Sequence, residues 1–226
     1  DSHALDTPWF LGEFEPAIFQ GMEANALFPH AGGIHLSADA LGDIRLFNTR
    51  IMRCTALSID GWGGGIFIGN LMAWVLSRVI LDGIVVEDCA AWLGGGLFLI
   101  NAGHAQPASV VNAVLQNNNA SLAGGLAVWM CVCTIGPNVT IVENTVICGG
   151  GGIAMYGGSV KMGASSNDLR VVIRGNRALG DLDISRSDWI QKIPQILALQ
   201  STRVFFAGQG GGILVLSTTD PNDPGV

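Results

Sequence analysis

The stretch Val114-Leu115-Gln116-Asn117-Asn118-Asn119-Ala120-Ser121-Leu122-Ala123-Gly124-Gly125-Leu126 carries two marks that recur along the chain. One is a Gly pair followed by an aliphatic residue. It returns as Gly32-Gly33-Ile34, Gly64-Gly65-Ile66, Gly95-Gly96-Leu97, Gly151-Gly152-Ile153 and Gly211-Gly212-Ile213. The steps are 32, 31, 29, 27 and 60 residues. The last step reads as two periods, with Gly180-Asp181-Leu182-Asp183-Ile184 as a degenerate copy between them. The other mark is an apolar residue followed three positions later by Asn or a stand-in: Met22/Asn25, Ile51/Cys54, Val85/Asp88, Val114/Asn117, Ile141/Asn144, Ile173/Asn176 and Phe206/Gln209. In four copies the polar residue lies seven positions before the first Gly, at Asn25, Asp88, Asn117 and Asn144, so the marks hold a common register.

Between the marks the chain is strand-like, as in Val139-Thr140-Ile141-Val142 and Val171-Val172-Ile173. After each Gly pair the apolar residues alternate, as in Ile66/Ile68, Leu97/Leu99 and Leu126/Val128, which puts them on one face of a strand. A fixed period near thirty residues is the signature of a repeat architecture. Ankyrin and tetratricopeptide repeats of similar length need helical spacing, which is absent outside about 188–199. The pattern predicts an all-β, right-handed parallel β-helix of about seven coils. Its inward aliphatic column is buried by stacking. Asn25, Asp88, Asn117, Asn144, Asn176 and Gln209 then form a corner ladder, and the Gly pairs supply corners with positive φ. The solenoid spans 17–217, with an insertion at 185–203 in which Ser187 or Asp188 caps a short helix. An acidic extension, 1–16, precedes it and a linker-like tail, 218–226, follows.

The ΦxxN and GG-aliphatic marks resemble the repeats of the chlamydial polymorphic outer membrane protein family over about 20–216. Here Val, Ile or Met mostly replaces the Phe of that family's FxxN, and the aliphatic follows the Gly pair directly. The resemblance implies a pectate-lyase-like solenoid with a surface or adhesion role, extracellular or on the cell surface, and it carries over no catalytic residues.

Composition agrees with a packed rod. Hydrophobic residues make up 49 %, charged residues 13 %, and 32 of the 226 residues are Gly. Mean hydropathy is +0.44. Such a chain is not disordered, and a net charge of −7 excludes a basic nucleic-acid binder. Residues 1–44 contain seven acids and no Lys or Arg, while the remaining 182 hold 11 of each sign. No charged side chain occurs between Asp88 and Glu143. The best apolar window there, about 120–135, is too short for a membrane span and is interrupted by Gly124-Gly125. An uncharged flank of 54 residues predicts that other protein chains, or further coils of a longer protein, cover it.

Phe67, Phe98, Trp129 and Tyr156 fall on outward positions of neighbouring coils and predict an aromatic stripe that docks a partner or stacks on polysaccharide. The competing reading is that loops of the same chain cover the stripe. A pectin-lyase or hydrolase-like enzyme is a further alternative, and a scaffold subunit of an intracellular complex another. The outward positions hold no stacked carboxylates for such chemistry. His30, His35 and Asp39 lack the companions a metal site needs. No metal or cofactor is expected. Asn119-Ala120-Ser121 and Asn138-Val139-Thr140 make Asn119 and Asn138 candidate glycosylation acceptors. Cys54 and Cys89 occupy similar corners of adjacent coils and are a candidate disulfide, with buried free thiols as the alternative.

Overall fold

A computed structural model describes residues 13–14, 18–20, 31–36, 43–56, 61–69, 78–103, 106–147, 149–163, 170–179 and 211–216. All regular structure among them is β, and every strand pairing is parallel. The chain winds as a β-solenoid with four strand positions per turn.

Face I follows the Gly pair and holds Ile34–Leu36, Ile66–Gly69, Leu97–Ile100 and Ile213–Leu216. Face II holds Glu13–Phe14, Ile44–Phe47, Val79–Asp82 and Ala108–Val111. The ten-residue strands Leu126–Ile135 and Ile153–Met162 run through both, joining faces I and II into one ten-stranded sheet. Face III, six strands, runs from Ile18–Gln20 through Arg50–Met52, Val85–Glu87, Val114–Gln116 and Val139–Val142 to Val171–Arg174. Face IV, five strands, runs from Thr55–Ala56 through Ala90–Leu93, Asn119–Leu122 and Thr145–Val146 to Arg177–Ala178.

Four complete turns run from Gly33 to Gly152, rather than the expected total of about seven. The 60-residue step is one turn and not two. Ile153 pairs directly with Ile213, and the Gly152 amide donates to the Gly212 carbonyl at 3.0 Å. Gly180-Asp181, the insertion 185–203 with its expected helix, and the tail lie outside the described residues. Strand Glu13–Phe14 falls inside the stretch read as an extension and already pairs with Arg45–Leu46.

Each corner is made by a residue in the left-handed region at the same place in successive turns. Between faces II and III these are Asn48, Gly83, Asn112 and Asn138. Between faces III and IV they are Arg53, Asp88, Asn117, Glu143 and Gly175. Asn, Asp and Gly tolerate that conformation, which is why they punctuate the sequence. Inside the corners lies one apolar column. Ile66, Leu97 and Leu126 stack from face I, Leu81, Val110 and Ile135 from face II, and Ile51, Val86, Leu115 and Ile141 from face III. Each is at most 1 % exposed, so the burial that stabilises the fold is repeated turn by turn.

The Gly pairs do not have positive φ. That conformation falls on the residue before, at Gly63, Gly94 and Ala123. The pairs are glycine because successive turns approach too closely for a Cβ. One built on Gly125 lies 2.6 Å from the Gly152 carbonyl oxygen and 2.9 Å from Asn144 Nδ2.

Candidate functional site

The polar ladder lies beneath the Gly pairs and is one residue out of the expected frame in two turns. Its Asn members are Asn118, Asn144 and Asn176. Asn144 Oδ1 accepts from the Asn118 amide at 2.9 Å and from Asn118 Nδ2 at 3.0 Å. Asn176 Oδ1 accepts from the Asn144 amide at 3.0 Å and from Asn144 Nδ2 at 2.9 Å. Each amide group also donates to the carbonyl of the previous turn, Asn118 to Val86, Asn144 to Leu115 and Asn176 to Ile141. Asn118 and Asn144 are 0 % exposed, and these bonds satisfy them. Asn117 and Asp88 are corrected: both occupy the exposed left-handed corner one position earlier, and Asn118 and Cys89 take the inward place. Asn25 and Gln209 lie outside the described residues.

The ladder ends in sulfur. Asn118 Oδ1 accepts from the Cys89 amide at 3.0 Å, and Cys54 takes the equivalent place one turn before. Both cysteines are buried free thiols, so the candidate disulfide is not formed. Cys54 Sγ lies 3.4 Å from the Met52 carbonyl and Cys89 Sγ 3.3 Å from that of Glu87. The neighbouring Cys54 thiol, then burial, pushes the Cys89 thiol far up, and burial pushes Cys131 up to about 12 and Cys133 well above its usual range. Since the thiolate is the reactive form, these four cysteines are expected to resist alkylation in the folded protein at pH 8. Their rates should be at least about a thousandfold below those after unfolding. Peptide mapping of modified cysteines checks this, and rapid native labelling at Cys89 or Cys131 contradicts it.

The aromatic stripe divides. Phe67 and Phe98 are 2 % and 0 % exposed. Leu93 and Leu122, at the end of face IV, fold with Trp62 over the outside of face I and close a satellite core on them. Two members of the expected partner stripe are thus covered by the chain itself. The rings remain in contact, Phe67 with Phe98 at 5.5 Å, Phe98 with Trp129 at 6.0 Å, and Trp129 with Tyr156 at 5.0 Å. Trp129 and Tyr156 are half-buried and pair in register on adjacent turns. His35 packs edge-on against Phe67.

Much of the uncharged stretch is buried among the described residues. Among its described residues, the exposed positions are Gln106, Pro107, Asn112, Asn117, Asn119 and Asn138. Neutral amides, Asn112, Asn117 and Asn138, occupy the exposed corners of this flank. Of the two sequon residues, Asn119 is exposed between Ala90 and Thr145 on face IV. Asn138 is exposed at a corner, where its Nδ2 donates to Asn112 Oδ1 at 3.0 Å.

Outward polar chemistry is concentrated on face III. Glu87 accepts from Arg50, with Nε at 3.0 Å, and from Gln116 Nε2 at 2.7 Å. The Arg50 guanidinium holds its carboxyl below the usual range, so at neutral pH it is an ionised, paired group rather than a proton donor. Among the described residues no three His, Cys, Asp or Glu side chains converge to hold a metal ion, and no helix is long and apolar enough to cross a membrane.

Apolar exposure is found at the C-terminal end of the described stack. Ile213 is 41 % exposed although its partner Ile153 is 1 % exposed, and Met162 is 40 % exposed beside Ile135 at 0 %. Ile147 and Leu179 add an exposed pair on adjacent turns of face IV. No family model, curated protein or solved structure matches the chain.

Proposed function

We propose that the chain is a non-catalytic structural solenoid, an adhesion or scaffold module of a surface or extracellular protein that packs into a larger assembly. The observation that carries this reading is the exposure of Ile213 and Met162, residues of the inner apolar column, at the end of the stack. Exposed apolar rungs beside strands that, among the described residues, pair on one side only are a ready template for another chain. The paired state of Glu87 and the burial of the thiols favour structure over catalysis. The likeness of the repeat marks to those of the polymorphic outer membrane proteins favours a surface location.

The test is the mass of the purified chain in solution over about a hundredfold range of concentration, since mass action drives association at the high end. The wild-type chain is expected to rise above its 23.6 kDa monomer mass. The combined variant Met162→Ser, Leu179→Ser, Ile213→Ser should associate at least about tenfold more weakly with an unchanged melting temperature. A wild-type chain that stays at 23.6 kDa throughout overturns the assembly reading.

A further inference from the structure

Among the described asparagines, one has no structural reason for its place. Asn48, Asn101, Asn112, Asn117 and Asn138 have positive φ between strands, a conformation that Asn tolerates. Asn118, Asn144 and Asn176 form the buried ladder. Asn119 belongs to neither set. It is exposed and extended inside a strand, where Asn is disfavoured. The same place on face IV is Thr55, Ala90, Thr145 and Arg177 in the other described turns, so the stack does not call for an amide there. Among the described residues its amide group has no hydrogen-bond partner, whereas Asn138 Nδ2 donates to Asn112 Oδ1.

We propose that Asn119 is the acceptor of an N-linked glycan carried outward on face IV. The inference rests on the surface or extracellular reading and names a modification of that surface. Ser121 completes the acceptor motif Asn119-Ala120-Ser121. Residues two apart in a strand point to one face. Ala120 between them is inward and 4 % exposed, so Asn119 and the half-buried Ser121 both face outward. The side chains level with Asn119 on the adjoining turns, Ala90 and Thr145, are short. A glycan leaving from this position displaces no core side chain. The first sugar has apolar neighbours to lie on. Trp92 stands level with Ser121 one turn before, and Ile147, 36 % exposed, follows Thr145-Val146 one turn after. The glycan then covers Ile147 and hydrates a flank, 89–142, that has no charged side chain. In the transfer, Asn119 Nδ2 bonds to the anomeric carbon of a lipid pyrophosphate-linked oligosaccharide. The bond from that carbon to the pyrophosphate oxygen breaks, the lipid pyrophosphate leaves with the electron pair, and one Nδ2 proton is lost to a base.

The test directs the full chain into the secretory pathway of a eukaryotic cell, with Thr140→Ala as background. That change removes the second acceptor motif and keeps Asn138 at its corner. Peptide N-glycosidase converts a glycosylated Asn to Asp, and peptide mapping then locates it. Most folded chains recovered from the secretory lumen are expected to carry the mark at position 119. Ser121→Ala leaves Asn119 in place and should abolish the modification with an unchanged melting temperature. Glycosylated and deglycosylated chains should melt together, since the glycan stands outside the stack. An Asn119 that stays unmodified in folded chain from the lumen overturns the proposal, as does modification confined to chains that do not fold. Either result leaves the assembly reading to its own test, the concentration dependence of mass, which is made on unmodified chain. Mapping of the wild-type chain reads position 119 separately from 138 and decides the question even where the Thr140→Ala chain misfolds.

Discussion

Replacing Asn144 by Ala is expected to lower stability by about 3–5 kcal/mol, because the substitution breaks the ladder at its centre. Four side-chain hydrogen bonds meet at this residue, two accepted from Asn118 and two donated, to Leu115 and to Asn176. Their partners stay where they are. The Leu115 carbonyl and Asn118 Nδ2 are left without the Asn144 amide in an interior that water does not reach, and each such group costs about 1–3 kcal/mol. A fall of this size lowers the melting temperature of a 226-residue chain by roughly 10 °C. Because each turn touches only its neighbours, the loss also uncouples the turns on either side. Amide exchange should accelerate first at the Gly124-Gly125 and Gly151-Gly152 corners, which pack on this ladder. Asn144→Asp separates hydrogen bonding from volume. It keeps the accepting oxygen, replaces the donating amide nitrogen by a second oxygen, so that the two donations are lost, and buries an acid, so its folded pKa rises above the unfolded value. Its stability deficit should therefore be largest at neutral pH and shrink as pH falls through the raised pKa. A loss under about 1 kcal/mol for the Ala variant shows that the ladder is not a principal support.

The ladder also shows how far the repeat was legible in the residues. Its existence, the parallel stacking and the inward aliphatic column all follow from periodicity, because every turn must repeat the same buried positions. The frame does not follow from a fixed offset to the Gly pair. Asn118 lies six residues before Gly124 while Asn144 lies seven before Gly151, so counting seven places Asn117 and Asp88 inward, one residue early. A one-residue slip in a strand exchanges its faces. The correcting signal is present in the triplets: Ile51/Cys54, Val86/Cys89, Leu115/Asn118, Ile141/Asn144 and Ile173/Asn176 are the set whose apolar members share one strand register. The count of turns failed for a different reason. A 60-residue step has the length of two turns, and only the pairing of Ile153 with Ile213 shows that the two Gly marks stand on neighbouring rungs. The aromatic stripe was legible as a column but not as a surface. That Trp62, Leu93 and Leu122 lie over Phe67 and Phe98 depends on contacts between faces IV and I, which strand periodicity does not encode.

The Gly pairs give the second large effect, and it separates close approach from backbone conformation as the reason for glycine. Gly95 does not have positive φ, so Ala there meets no conformational penalty of the left-handed kind. It meets the next turn instead. A Cβ on Gly95 would lie 2.5 Å from the Asn119 carbonyl oxygen, 2.8 Å from its carbonyl carbon and 2.8 Å from the Gly124 carbonyl oxygen. All three are backbone atoms held by pairing on both sides, through the Asn119 amide to Cys89 and the Gly96 amide to Gly124. No rotamer relieves the overlap, and the stack must open by several tenths of an ångström at that rung. Gly95→Ala is expected to cost at least about 3 kcal/mol, at the upper end of overpacking penalties. Gly212 is the control. It belongs to the neighbouring column, that of the second glycine of each pair, and does not have positive φ, but a Cβ there meets nothing within 4 Å. Gly212→Ala should fall within about 0.5 kcal/mol of wild type, or stabilise slightly by restricting the unfolded chain. Urea unfolding of the two variants measures the difference directly. Equal effects would mean that the Gly pairs serve local backbone geometry, whereas a gap of more than about 2 kcal/mol assigns them to the spacing between turns.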